Sequence, residues 1–334
     1  MGVSGNAVEA QLAGRRILIT GGLGFIGSNL AIRLVNAGAD VTLVDSLIPE
    51  YGGNLRSVVS IANDVRINIS DVRDEYSFAY LIRGQDVLFN LAGQTSHIDS
   101  MTDPQTDLAI NARAQLSILE GCRRHNPGVT IVFASTRQIY GRPQYLPVDE
   151  NHPIRPLDVN GVNKAAAENF HHVYHDVYGM RTSALRLTNT YGPRMRIKDA
   201  RQTFLGVWIR RVLEGTPFEV WGGNQLRDFT FVDDVVDALI LAAVRPACVG
   251  TALNLGGHEV FSLRVVADLL VEVNGGGAYA IEDFPDDRKA IEIGDFHTES
   301  SKAASILGWR ASTPLRDGLA RTLAFFRENL DHYL

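Results

Sequence analysis

The chain predicts an α/β fold, a doubly wound parallel sheet with a smaller α/β region at the C-terminal end. Three observations predict it. Short apolar runs alternate with helical stretches through the first half of the sequence, as buried parallel strands and their covering helices do. The first run, Arg16 to Thr20, leads directly into Gly21, Gly24 and Gly27 at three-residue spacing. The second, Asp40 to Val44, ends in an acid, Asp45.

The elements follow in order. Gly21 permits a tight turn, Gly24 lets backbone amides approach a pyrophosphate, and Gly27 lets a helix pack closely on the strand. Phe25 and Ile26 open that helix, whose N-terminus would take the phosphate charge. Asp45, with Ser46 beside it, stands where an acid holds the adenosine ribose hydroxyls and repels a 2′-phosphate, which selects NAD over NADP. A short strand at 65–67 precedes Asp71 and Val72, where an adenine would reach. A helix at 75–83 and a strand at 87–90 follow, and Asn90, Leu91, Ala92 and Gly93 end that strand at its ligand-binding carboxyl edge. A long helix at 105–125 and a strand at 129–134 continue the alternation. Later, 181–187 reads as a strand, 201–213 as a helix and 218–221 as a short strand.

Composition narrows the partners. The 334 residues carry a net charge of −6, so there is no basic footprint for nucleic acid or an acidic membrane. No apolar run reaches membrane-helix length, and residues 1–13 lack a secretory pattern and read as a disordered lead-in. Cys122 and Cys248 sit in apolar helical surroundings and read as reduced core thiols, which fits a cytoplasmic location. His171 and His175 lie one helical turn apart, but no carboxylate stands at motif spacing, so a solvated helix face or subunit contact is expected rather than a metal.

The segments Ser135-Thr136-Arg137-Gln138-Ile139-Tyr140-Gly141 and Asn160-Gly161-Val162-Asn163-Lys164 complete a set of ordered motifs. Others are Asn189-Thr190-Tyr191-Gly192-Pro193-Arg194 and Arg227 to Asp234. With the glycine turn, these resemble the extended short-chain dehydrogenase/reductase family, above all its nucleotide-sugar epimerases and dehydratases. The resemblance implies a Rossmann-like fold binding NAD and a nucleotide-diphosphate sugar. It assigns 14–188 mainly to NAD and 189–334 mainly to the nucleotide sugar, with some later segments returning to the sheet. It also implies a homodimer formed by helices near 105–125 and 161–178.

In such enzymes NAD takes a hydride from a sugar carbon while a tyrosine takes the hydroxyl proton. Thr136 matches the hydroxyl that bonds the reacting sugar oxygen, and Lys164 the lysine that grips the nicotinamide ribose. Asn160 stands where the tyrosine belongs, and a carboxamide takes no proton near neutral pH. Three explanations stay open: another base, a proton relay through substrate or water, or a protein that binds without turnover. His97 ranks first as a replacement because its ordinary pKa suits proton transfer. Tyr140, Tyr191, Asp99 and Asp158 rank lower.

The family's 4,6-dehydratases carry an acidic pair where this chain has Arg137 and Gln138, and its decarboxylases a glutamate where Gln138 stands. The resemblance therefore favours epimerisation, with C4 inversion through a transient 4-keto sugar as its leading form. A different keto-intermediate enzyme or oxidoreductase, and a non-catalytic NAD and nucleotide-sugar binding protein, remain the alternatives. Arg137 either pairs with a carboxylate on the sugar or salt-bridges Asp149 or Glu150. By resemblance, Asn189, Arg227 and Arg288 face the diphosphate.

Overall fold

The computed structural model describes residues 8–285 and 292–334. Its first six strands are β1 (Arg16–Thr20), β2 (Asp40–Asp45), β3 (Val65–Ile69), β4 (Val87–Asn90), β5 (Thr130–Thr136) and β6 (Arg181–Leu187). Then follow β7 (Asn189–Tyr191), β8 (Phe218–Trp221), β9 (Leu226–Phe231), β10 (Ala252–Leu255), β11 (Val260–Ser262) and β12 (Tyr279–Glu282). A seven-stranded parallel sheet runs in the order β10-β6-β5-β4-β1-β2-β3. Its strand order reverses at β1, between β2 and β4, and the crevice at such a reversal is where open α/β sheets bind ligands.

Alternation along β1 shows why the sheet is covered on both faces. Ile17 and Ile19 enter one core cluster with Leu30, Leu34 and Leu43, while Leu18 enters a second with Leu88, Ile131 and Leu119. The covering helices are α1 (Phe25–Asn36), α2 (Glu75–Leu81), α3 (His97–Thr102), α4 (Pro104–Leu108), α5 (Ala114–His125) and α6 (Val159–Tyr178). A π turn, Ala109–Arg113, joins α4 to α5. The remaining helices are α7 (Phe204–Leu213), α8 (Val232–Val244), α9 (Leu263–Asn274), α10 (Ser301–Leu307) and α11 (Leu315–Asn329).

The later half builds two small sheets, β11-β9-β7 and β12-β8, while β10 returns to the edge of the large sheet beside β6. Helix α7 starts at Phe204, not Arg201, because the Thr203 hydroxyl caps it by accepting from the Leu205 amide at 3.3 Å. Another departure concerns the lead-in. Within residues 8–13, Val8 and Leu12 are buried in the core and Glu9 pairs with Arg33, so that stretch is ordered. Burial of two apolar side chains a turn apart is the reason; residues 1–7 lie outside the described residues. Among the described residues, no helix is long and apolar enough to cross a membrane.

Candidate active site

A cavity of about 590 Å³ opens at the carboxyl ends of β5 and β6, between the large sheet and the smaller β region. Phe25, Ile26, Leu91, Thr136, Lys164 and Arg227 all line it. Its cofactor side begins at the glycine turn. Gly21 has φ +68°, and a Cβ there would come within 3.0 Å of the Ala92 backbone. A Cβ at Gly27 would lie 2.2 Å from the Gly21 carbonyl oxygen, so only glycine permits α1 to start this close to the turn. Gly24 precedes the helix and no side chain caps it, which leaves first-turn amides for a phosphate.

Asp45 ends β2 and lies outside the cavity lining. Its carboxylate accepts from the amides of Leu23 at 3.1 Å and Leu47 at 2.9 Å, while burial raises its pKa against those bonds. Ser46 follows it, partly buried. Asp71 sits beyond β3 in an ion pair with Arg73 at 2.6 Å, and Val72 is buried in the core. The Thr20 hydroxyl accepts from the amides of Leu91 and Ala92, which fixes the exit of β4 beside the turn.

Lys164 projects from α6 and donates to the Ala134 carbonyl at 3.0 Å, with its ammonium 4.8 Å from the centre of the Phe133 ring. Burial pulls its pKa down to about 8 although Asp107 pulls upward. A Cβ at Gly93 would meet Asn111 Oδ1 at 2.9 Å and Lys164 Nζ at 3.2 Å, and that buried Asn111 oxygen has no hydrogen-bond partner among the described residues. A glycine cradle, an uncapped helix start, and a cation beside an unsatisfied acceptor fit a dinucleotide with its ribose toward Lys164.

Asn160 is turned away from proton chemistry. Its Nδ2 donates to the Gln94 carbonyl at 2.7 Å and to Asp107 Oδ2 at 3.0 Å. Asp107, fully buried, also accepts from Asn111 at 3.0 Å and Asn163 at 2.7 Å. Sequence reading missed this cluster. Its available signal was polar residues recurring one turn apart, at 107 and 111 and at 160 and 163.

His97 instead faces two polar partners at the cavity wall. Its Nδ1 contacts the Asp158 carboxylate, and its Nε2 lies 2.5 Å from Gln138 Nε2. With the amide donating to Nε2, the ring proton sits on Nδ1 and is given to Asp158. Burial opposes ionisation of Asp158, but the His97 bond, the Gly161 amide and Arg137 outweigh it and hold the pKa below the ordinary value. Thr136 accepts from the Gln138 amide at 3.2 Å and keeps its hydroxyl proton to donate.

The lower-ranked bases are otherwise engaged. Tyr140 is buried, donates to Asn254 at 2.7 Å and accepts from Arg186 at 2.5 Å, and burial pushes its pKa up to about 12. Tyr191 is packed among Phe229, Phe231 and Gly318, and burial raises its pKa. Asp99 is held by Arg201 at 3.0 Å.

Arg137, Gln138, Asn189 and Arg227 all line the cavity. Arg137 donates to Asn189 Oδ1 at 3.3 Å and stacks over Phe296, and Asp149 and Glu150 bind Tyr145 and the Asn254 amide instead. Arg227 is ion-paired to Glu292 at 2.9 Å and donates to the carbonyls of Leu226 and Gly294. Arg288 lies outside the described residues. His171 is no solvated or interface residue: it is buried and stacked on Phe133, and burial drives its pKa down to about 3. Among the described residues no group of His, Cys, Asp and Glu is arranged to hold a metal.

Comparison with known proteins meets this geometry. Residues 17–256 match the model of the NAD dependent epimerase/dehydratase family. The chain is 30% identical to a putative UDP-glucose 4-epimerase of Methanocaldococcus jannaschii, covering 94% of this chain and 99% of the relative. It is 31% identical to UDP-glucuronic acid decarboxylase 1 of Xenopus tropicalis, covering 95% of this chain and 73% of that protein. The crystal structure of a Thermotoga maritima UDP-glucose 4-epimerase with UDP-glucose superimposes with a TM-score of 0.85 at 27% identity, covering 94% of this chain and 99% of that one. This chain belongs to the NAD-dependent epimerase/dehydratase family.

Proposed function

We propose that the protein is a nucleotide-sugar 4-epimerase in which His97, backed by Asp158, moves the proton that a tyrosine moves in its relatives. The observation that carries this reading is the opposite setting of two side chains: Asn160 is bound into the Asp107 cluster, while His97 shares the cavity wall with Thr136. Bound NAD supplies a transient acceptor for the hydrogen on the reacting sugar carbon.

This chain's residues supply the remainder. First-turn amides of α1 hold the pyrophosphate, Asp45 the adenosine ribose, with Ser46, Asp71 and Val72 flanking the adenosine, and Lys164 the nicotinamide ribose. Thr136 donates to the oxygen on C4. For His97 to receive the C4 hydroxyl proton, the Gln138 amide must yield Nε2 to the substrate; the proton then stays on Nε2 and returns to the same oxygen after the 4-keto sugar has turned over. Asp158 accepts from Nδ1 throughout and stabilises the imidazolium. Arg227 and Asn189, which line the cavity, face the diphosphate.

Gln138 supports epimerisation over the alternatives. An amide there has no acidic proton to supply for eliminating water, which disfavours dehydration. A homodimer is part of this reading, supported by exposed Leu108 and Leu116 on one helical segment and Val162, Val173 and Val177 on α6. The direct experiment incubates the NAD-loaded protein with UDP-glucose and a panel of other nucleotide sugars and follows C4 by proton NMR. Inversion in wild type and none in His97→Gln, with NAD still bound, supports the assignment. Equal turnover by the variant removes His97 from the reaction, and binding without conversion by wild type supports a non-catalytic protein.

A further inference from the structure

Arg137 is a cation built into the cavity that, among the described residues, forms no ion pair. It is directed past the end of β5, with Phe296 stacked 5.0 Å from it and Asn189 Oδ1 as its hydrogen-bond acceptor at 3.3 Å. Among the described residues no carboxylate lies within ion-pair distance of it. Of the neighbouring acids, Glu292 holds Arg227 at 2.9 Å and Asp158 holds His97, while Asp228 accepts from the amides of Gly257 and Thr298 through Oδ2 and stays beyond ion-pair distance of Arg137. Burial and the nearby Arg227 charge push the Arg137 pKa down to about 10, against the pull of Asp228, Glu292 and Asp158. The guanidinium is partly buried and, among the described residues, hydrogen-bonds to Asn189 alone, so it has donors left for an anionic group bound in the cavity.

The position of the residue indicates which anion. Arg137 directly follows Thr136 and directly precedes Gln138, which touches His97, so it stands at the reacting end of the cavity. A hexose that reacts at C4 carries its exocyclic carbon on the adjacent C5. When that carbon is a carboxylate, a planar guanidinium can bind it through two parallel hydrogen bonds. We infer that the sugar is a uronate, and that Arg137 is the residue that selects its carboxylate. The inference rests on the nucleotide-sugar reading above and adds the class of sugar to it.

Calorimetric titration of the NAD-loaded protein with matched pairs tests this without requiring turnover. The pairs are UDP-glucose against UDP-glucuronate and GDP-mannose against GDP-mannuronate, with UDP and GDP alone as controls. Wild type should bind the uronate at least about tenfold more tightly than its neutral partner. Arg137→Met should erase that preference while changing affinity for the neutral sugar and the bare nucleotide by less than about threefold. Arg137→Lys keeps the charge without the fork and should retain only part of the preference, and thermal melting checks that both variants are folded. Equal losses for uronate, neutral sugar and bare nucleotide would show that Arg137 serves the diphosphate and overturn the inference, as would a wild type with no preference. Failure of every sugar nucleotide to bind would overturn the proposed function itself.

Discussion

Asn160 shows how its surroundings set what a side chain does. The resemblance puts Asn160 where the family has its tyrosine, and a carboxamide has no useful basicity. What the amide does instead depends on Asp107 and Gln94, which are distant in sequence and meet it only in the fold. Asn160→Ala should cost about 1–3 kcal/mol in chemical denaturation, since it removes a buried donor to a carboxylate. Asn160→Asp should cost more at neutral pH than at pH 4, because a second carboxylate beside Asp107 repels it unless one is protonated.

Lys164 gives a second residue-scale prediction, with the opposite sign. Its folded pKa of about 8 lies below the ordinary 10.5, so the unfolded chain holds the proton more tightly. The stability penalty is full below pH 8, shrinks as pH rises toward 10.5, and vanishes above it. Lys164→Met should therefore stabilise the NAD-free protein by on the order of 2 kcal/mol at pH 7 while weakening NAD retention. Destabilisation of the NAD-free form would contradict this account of the lysine.

At the scale of elements, α6 does two jobs from two parts of its length. Its first turns present Asn160 and Lys164, and its middle is fixed to the sheet through Glu168. That carboxylate accepts from Ser135 at 2.6 Å and pairs with Arg186 of β6, both buried. Burial opposes its ionisation, but His172, Arg186 and Ser135 outweigh that and hold its pKa at about 2. The contribution is complete above about 4.5 and is lost as pH falls toward 2. Glu168→Gln should destabilise by about 3–5 kcal/mol because it strands the Arg186 charge. The sequence displayed Arg186 as an isolated charge within an apolar strand, yet its partner 18 residues earlier became identifiable only once α6 lay across β6.

The outward side of α6 carries the proposed contact between subunits. Val173 and Val177 are 50% and 65% exposed, unusual for branched apolar residues at helical spacing, and an interface would cover them. Replacing both with aspartate should turn a dimer into a monomer in sedimentation velocity. An unchanged sedimentation coefficient would move the interface elsewhere.

The whole molecule was most legible where chemistry is local. Strand, glycines, helix, strand and acid occur in order, and each constrains the backbone within a few residues. The sheet order and the return of β10 to its edge depend on pairings across the chain that periodicity does not encode. The same distinction applies to the site. Thr136, Lys164 and His97 could be placed at strand ends and a helix start, but the engagement of Arg227 by Glu292 and the bond from Arg137 to Asn189 are products of packing.

In the proposed reaction a sugar carbon loses and regains the same hydrogen while His97 holds the hydroxyl proton. A nucleotide sugar deuterated at C4, converted in ordinary water and followed by NMR, tests that most directly. The account predicts inversion at C4 with the deuterium retained in the product, and no inversion in His97→Gln. Deuterium lost to solvent from C4, or inversion undiminished in the variant, would contradict it.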